Sequence, residues 1–270
     1  MSAELAPEVM TFYESTVDES VRLSASADGR LEMLRTQELL RRHLPLAPAA
    51  VLDVGGGPGV HARWLVKDGY VVNLVDPVPR HVDAARQVAT NAELGDARDL
   101  REPDAKYDAV LVLGPLYHLL ERSDRDTALA EAYRVMRPGG LIAAAGINRY
   151  ASLFEHTAFA HLYKGGVRRS IESILASRIH DGKKSFTAAY FHSGAELRDE
   201  VTEAGFEDTR VFGVEGPTWA MLKATEQYTG ESVIGSGLFE SALTAARMAE
   251  PYSDLLAASS HLLAVGRRPA

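Results

Sequence analysis

The 270-residue chain has no cysteine. Disulfides, thiolate metal sites and cysteine nucleophiles are excluded at once. Basic side chains are also scarce relative to acids, with 29 Lys and Arg against 37 Asp and Glu and a formal net charge of -8. Nucleic-acid binding relies on clustered Lys and Arg. The pairs Arg41-Arg42, Arg168-Arg169 and Arg267-Arg268 are too short to supply such clusters, so no nucleic-acid partner is expected. No apolar run approaches bilayer length, and the opening MSAELAPEVM carries acids where a secretory signal needs a basic region. The expectation is a cytoplasmic protein with no membrane segment, either a monomer or a homodimer. Internal repeats and low-complexity segments are absent too.

What the chain does have is a regular alternation. VLDV (51–54) reads as a strand and leads through glycines into the helical spacing of HARWLVKDG. YVVNLVD (70–76), a short run near Ala92–Leu94, YDAVLVLG (107–114) and LIAAAGI (141–147) continue as strands, separated by helical RHVDAARQVAT and DRDTALAEAYRVM. The continuous apolar run at 107–114 suits a parallel strand covered on both faces. This pitch predicts a doubly wound α/β sheet. Residues 1–45 are expected to form a helical cover, 46–147 the cofactor-binding core and 148–193 a helical lid insertion. Residues 194–270 complete the core, with a helical insertion near 218–258. The last two strands are expected to pair as an antiparallel hairpin.

Open α/β sheets bind ligands at the carboxyl ends of their strands, where glycines admit close approach and a helix N-terminus offers free N–H groups. VLDVGGGPGV lies at such a place. A phosphate loop needs Lys-Ser/Thr after its last glycine, and here Gly59 is followed by Val60-His61. A dinucleotide fingerprint needs G-x-G-x-x-G, whereas the glycines fall at 55, 57 and 59, with Val60 in the third glycine's place.

Asp53-Val54-Gly55-Gly56-Gly57-Pro58-Gly59 resembles the E/D-x-G-x-G-x-G loop of class I S-adenosylmethionine-dependent methyltransferases. Three further landmarks follow in order. Asp76 ends the second strand, where an acid accepts the ribose hydroxyls. Gly95-Asp96-Ala97 follows the third, where the family has an acid for the adenine amino group and then a small residue. Arg137-Pro138-Gly139-Gly140 resembles the family's L-x-P-G-G turn. The resemblance is specific over about 50–147 and topological over 195–268. It implies a Rossmann-like seven-stranded sheet with its last strand antiparallel, and S-adenosylmethionine as cofactor with S-adenosylhomocysteine as product. The cofactor set it implies is Asp53, Gly55, Gly57, Gly59, Asp76, Asp96, Ala97 and Leu113. Asp53 would orient the loop or the methionine amino group. Tyr13 and Arg22 of the cover are candidates to close over the cofactor, through a cation–π contact and a bidentate carboxylate pair; packing and plain solvation are the competing readings.

Methyl transfer from a sulfonium needs an aligned nucleophile and one managed proton. The fourth strand's exit reads GPLYHL (114–119). It departs from the Asn/Asp-Pro-Pro-Tyr of DNA and amide N-methyltransferases and resembles a bacterial small-molecule, specialised-metabolite branch. His118 is the leading general-base candidate, since neutral imidazole is poised near working pH, with Tyr117 beside it. His192 and Glu215 are further base candidates, and Arg149, Tyr190, Phe191 and Trp219 are candidates for the wall of a planar acceptor's pocket. Each has a competing reading as packing or surface. No metal is expected: Leu113-Gly114-Pro115 and Ile147-Asn148 offer one ligand where catechol-type enzymes use Asp, Asp and Asn, and His156 and His161 miss helical ligand spacing.

The expected activity is methyl transfer to a small molecule, an aromatic or indolic metabolite such as the indole carbon of a tryptophan-containing cyclic dipeptide. N- or O-methylation of another small metabolite is the alternative. An NAD-dependent oxidoreductase would be supported by Tyr-x-x-x-Lys, which no tyrosine here begins. A non-catalytic binding protein would be expected to have a damaged loop or to lack Asp76.

Overall fold

A computed structural model describes residues 19–184 and 186–270. Tyr13 lies outside them. The sheet builds on parallel strands in the order β3 (Asn91–Leu94), β2 (Val71–Asp76), β1 (Ala50–Val54), β4 (Tyr107–Val112) and β5 (Met136–Asn148). On the far edge of β5, β9 (His261–Arg267) runs antiparallel and pairs in turn with β8 (Glu207–Gly213). These seven strands are the mostly parallel set that the resemblance implies, and a hairpin beyond the other edge of β5 brings the sheet to nine.

Successive residues of the central strands face opposite cores, as the two-residue period of a strand requires. Val51, Leu111, Ala143 and Leu263 pack with Leu39 and Leu40 of α2 (Ala27–His43) and with Trp64 and Leu65 of α3 (Val60–Lys67). Leu52, Val110, Ile142 and Leu262 pack on the other side, with Leu129 of α6 (Arg122–Val135) and Leu197 of α9 (Gly194–Glu203). Burial on both faces explains why β4 and β5 read as continuous apolar runs rather than alternating ones. Asp53 shares the face of Val51, so its carboxyl is turned into the first core's upper end.

The connection between β5 and α9 is half helix and half hairpin. It holds α7 (Ala151–Ala158), α8 (Gly165–Ser177) and the antiparallel pair β6 (Ile179–Lys184) and β7 (Phe186–His192). Ile147 pairs with His261 of β9 and with Phe191 of β7. Those partners must lie on opposite edges of β5, so β7 takes the edge that β4 leaves after Val112. The hairpin thereby lies over the end of β4 and against α5 (Pro115–His118). A third core ties it down: Phe191, Ile174 and Ile147 pack with Trp219 of α10 (Trp219–Thr229), Phe239 of α11 (Gly237–Ala249) and Leu31 of α2. The Arg137–Gly140 stretch, expected as a turn ahead of the fifth strand, is absorbed into β5. Its ladder with β4 is irregular between the Tyr107 and Ala109 pairings, and the Gly139 N–H donates to the Arg268 carbonyl.

Candidate active site

A cleft opens at the carboxyl ends of β1, β2, β3 and β4. The loops after those strands form one side of it: Gly55 to Pro58, Asp76 to Val78, Gly95 to Ala97, and Leu113 to Pro115. Its other side comes from Arg22 on α1 (Glu19–Ala25), Glu32 on α2, His61 on α3, Tyr117 and His118 on α5, and His261 at the start of β9.

The loop after β1 is set by backbone geometry. Gly55 has φ +67°, its N–H donates to the Val75 carbonyl at 2.7 Å, and a Cβ there would sit 2.6 Å from Pro115. Gly57 has φ +58° with open space where its side chain would be. A non-glycine residue would be strained at both, but only at Gly57 would the added atom project into room a ligand can use. Gly59, the N-cap of α3, is held against Val88 and is not in the cleft wall.

Three acids of the resemblance line the cleft in different states. Asp53 is 1% exposed and neither carboxyl oxygen has a hydrogen-bond partner. Burial, and then the neighbouring Asp76 charge, push its pKa up to about 7. Asp76 accepts from the Gly57 N–H at 2.8 Å and the Val78 N–H at 2.9 Å, and faces His81 Nδ1 at 3.1 Å. A carboxylate has about four lone-pair sites, so Asp76 is pre-oriented with room for one further donor. Burial would raise the Asp96 carboxyl, but Arg98, bound through its backbone N–H, Nε and Nη2, holds it below the usual carboxylate range. The orphaned Asp53 carboxyl at the cleft floor is the feature that fits a cofactor ammonium: a buried polar group without a partner is costly until a ligand supplies one.

His118 stands in the wall one helical turn beyond β4, its ring 4.6 Å from that of Tyr117 in an edge-on contact. Burial lowers its pKa to about 4, opposed by a hydrogen bond to the Ala188 backbone of β7 and by Asp76. His118 is therefore neutral through the physiological range. Burial likewise raises the Tyr117 phenol well above its ordinary value.

Other sequence-based candidates lie behind the wall. His192 is fully buried, with Nε2 3.3 Å from Glu200, which pairs with Arg125; the Arg125 guanidinium in turn lies 3.8 Å over the Tyr190 ring. Burial would raise Glu200, yet His192 and Arg125 hold it at about 2. Phe191 and Trp219 belong to the third core, and the Trp219 indole N–H donates to the Ala258 carbonyl. Arg149 Nε donates to the Leu175 carbonyl. Glu215 is 1% exposed and accepts from Ser259 Oγ at 2.7 Å and the His261 N–H at 2.9 Å, with His261 Nδ1 at 2.5 Å. None of these six lines the cleft. Arg22 does, but its guanidinium is engaged with Glu19 and bidentately with Glu32 at 2.9 and 3.2 Å.

Sequence reasoning missed Glu32, His61 and His261. His61 sits in the first turn after the glycine loop, a position facing the cleft by construction. Burial lowers its pKa to about 4, and Nδ1 accepts from Trp64 at 3.2 Å. Nothing local marks Glu32 or His261. Burial opposes the His261 charge, but Glu32 and Glu215 raise its pKa to about 9; Glu32, against the same penalty, is held at about 2 by Arg22 and His261. Ligand atoms of Glu32, Glu215 and His261 lie within 4.8 Å of one another. The Arg22 guanidinium and the His261 proton already supply the positive charge between those carboxylates, so the group is an ion-pair relay.

Fold and site together define a Rossmann-like α/β protein with its binding cleft at the carboxyl ends of the sheet. A family model described as a methyltransferase domain matches residues 51–140. A ubiquinone biosynthesis O-methyltransferase of Methylobacterium nodulans is 30% identical over 197 residues, covering 68% of this chain and 72% of that protein. A glycine/sarcosine N-methyltransferase of Parasynechococcus marenigrum is 26% identical, over 80% of this chain and 82% of that one. Among solved structures, a SAM-dependent methyltransferase of Thermotoga maritima, described as a possible histamine N-methyltransferase, superposes with a TM-score of 0.59 at 19% identity. That match covers 96% of this chain and 99% of the other. The chain belongs to the class I S-adenosylmethionine-dependent methyltransferases. It is an enzyme, and S-adenosylmethionine is its cofactor.

Proposed function

We propose that the chain methylates a small aromatic or indolic acceptor bearing an ionisable N–H or O–H, with His118 as general base. The observation that carries this reading is a neutral imidazole in the cleft wall immediately past β4, its orientation set by the Ala188 backbone. An imidazole takes a proton only from its neutral form, which His118 holds at any physiological pH; burial has lowered its pKa to about 4, so it is a weaker base than the imidazole poised near working pH that the sequence suggests. When bound, the cofactor supplies an electrophilic methyl group on a sulfonium. Asp53 would take the ammonium of the donor's methionine end, Asp76 a ribose hydroxyl and Asp96 the adenine amino group, and Ala97 and Leu113 would contact the base. Gly55 and Gly57 keep the loop low beneath it, and Gly59 shapes that loop from behind. Tyr117 borders the acceptor.

His118 would take the acceptor proton as the acceptor atom forms its bond to the methyl carbon and the methyl–sulfur bond breaks, with S-adenosylhomocysteine as the leaving group. For an indole, His118 would take the ring N–H proton while C3, conjugated with that nitrogen, forms the bond, as would apply to a tryptophan-containing cyclic dipeptide. The ring contacts fall to Tyr117 and the cleft histidines, because Tyr190, Phe191 and Trp219 are committed to packing. Incubation with methyl-labelled cofactor and panels of indoles, phenols and small amines tests the reading. Label is expected in an indole or phenol. His118→Ala should lower turnover by about 10²–10⁴-fold with S-adenosylhomocysteine affinity nearly unchanged. Undiminished turnover would remove His118 from the chemistry, and labelling of small amines alone would overturn the acceptor class.

A further inference from the structure

The cationic side chains on the cleft wall are Arg22 and His261 among the described residues. They differ in what they have left to offer. Arg22 spends Nε on Glu19 and both terminal nitrogens on Glu32. His261 spends Nδ1 on Glu215, behind the wall, at 2.5 Å. Glu215 is fixed from three directions, by Ser259 Oγ, the His261 N–H and the His261 ring. Ser259 is itself fully buried and accepts from the Glu215 N–H at 2.9 Å. The carboxylate therefore cannot swing away, and the ring it holds cannot rotate without leaving a buried charge unpaired.

With Nδ1 directed into the wall, Nε2 is the ring nitrogen left to the cleft, where the imidazole is part of the lining and its side chain is 23% exposed. Its charge is compensated by Glu215 and by Glu32, whose nearer oxygen is 3.7 Å from Nδ1. A fixed, charged N–H donor beside a mobile ligand is a recognition element for an acceptor oxygen, because charge-assisted bonds are roughly twice as strong as neutral ones.

We propose that His261, oriented by Glu215, binds an acidic oxygen of the methyl acceptor as its oxyanion through Nε2–H. This rests on the reading that the acceptor shares the cleft with the cofactor, and it assigns that acceptor an oxygen function, phenolic, enolic or carboxylic. That oxygen gives its proton to solvent before it binds, so the contact is one of binding and orientation, and His118 acts on the separate N–H or O–H of the group that is methylated. A cationic amine is disfavoured at this point, because it would have to approach the imidazolium to reach Glu32, whose oxygens Arg22 already occupies.

The test is equilibrium binding to the enzyme saturated with S-adenosylhomocysteine, which makes it independent of turnover and of the His118 assignment. Naphthalene, 1-naphthylamine, 1-naphthol and 1-naphthoate share one ring system and differ in the group presented. Naphthol or naphthoate should bind at least about tenfold more tightly than the other two. Whichever of them leads identifies the oxygen as phenolic or carboxylic. His261→Gln keeps an amide N–H near the Nε2 position without the charge and should retain part of that preference; His261→Ala should abolish it. Thermal midpoints and S-adenosylhomocysteine affinity, measured alongside, confirm that both variants are folded. Preference for naphthylamine, binding of none of the four, or a preference for the acidic probes that survives in folded His261→Ala would overturn the proposal.

Discussion

Asp53 gives the sharpest test of how this cleft meets its cofactor. Its carboxyl has no hydrogen-bond partner, is 1% exposed and has a pKa of about 7 against an ordinary 3.8. The folded chain thus keeps a proton that the unfolded chain has lost. Since the folded-state value is the raised one, stability falls as pH rises from about 4 to about 7 and stays low above that. At 1.36 kcal/mol per pH unit, the cost of burying this carboxyl, met by retaining its proton below about pH 7, is about 2 kcal/mol at pH 5 and approaches about 4 kcal/mol at pH 8. Asp53→Asn removes the ionisation without changing the shape. Chemical denaturation should find the apo variant more stable than the wild type, with an advantage that roughly doubles between those pH values. Cofactor binding should show the converse. The wild type must release close to one proton on binding S-adenosylhomocysteine at about pH 6, and its affinity should rise by up to about tenfold per pH unit before levelling above about pH 7. Calorimetry in buffers of different ionisation enthalpy counts that proton. No proton release, or a stability difference that ignores pH, would refute the account.

Other predictions follow from neighbouring geometry. Glu215→Gln should drop the His261 pKa from about 9 toward its ordinary 6.5, read from imidazole NMR titration. The raised wild-type value means a stabilisation present in full below about 6.5 and lost as pH climbs through about 9, and the variant's stability profile should show a smaller decline, because Glu32 still supports the charge. Arg125→Leu leaves Glu200 buried without its guanidinium partner and frees the Leu119 and Leu120 carbonyls that Arg125 holds at 2.9 and 2.8 Å. Equilibrium unfolding should show a loss of about 3–5 kcal/mol, partly recovered by adding Glu200→Leu. Gly57→Ala should cost only about 1 kcal/mol in stability, because its Cβ would meet open space at a left-handed φ. Its S-adenosylhomocysteine affinity should nonetheless fall at least about tenfold, and unchanged binding would show that the ligand does not use this loop.

The sequence by itself determined what depends on neighbours along the chain. Two-sided burial makes β4 apolar from Ala109 and β5 apolar from Leu141 to Ile147, which is visible in one dimension, and so the parallel sheet and its order of connections were legible. Gly55, Gly57, Asp76 and Asp96 were legible for a related reason: each sits where a strand ends and the chain must turn across the cleft. The aromatic motifs of the lid misled, because aromatic side chains suit a third hydrophobic core as well as a ligand pocket, and composition does not separate the two. Phe191 and Trp219 went to that core, and His192 to the Arg125–Glu200 pair. Only the tertiary structure could assemble Arg22, Glu32, Glu215 and His261. Glu215 and His261 are 46 residues apart and meet because β9 returns antiparallel beside both β5 and β8. Glu32 reaches them from a helix packed across the sheet face. Charge states in that group follow from proximity and desolvation, neither of which is a property of any residue's sequence neighbours. Local pattern was enough to bring Gly55, Gly57, Asp76 and Asp96 to one cleft, while the ion-pair group on its other side was decided by packing.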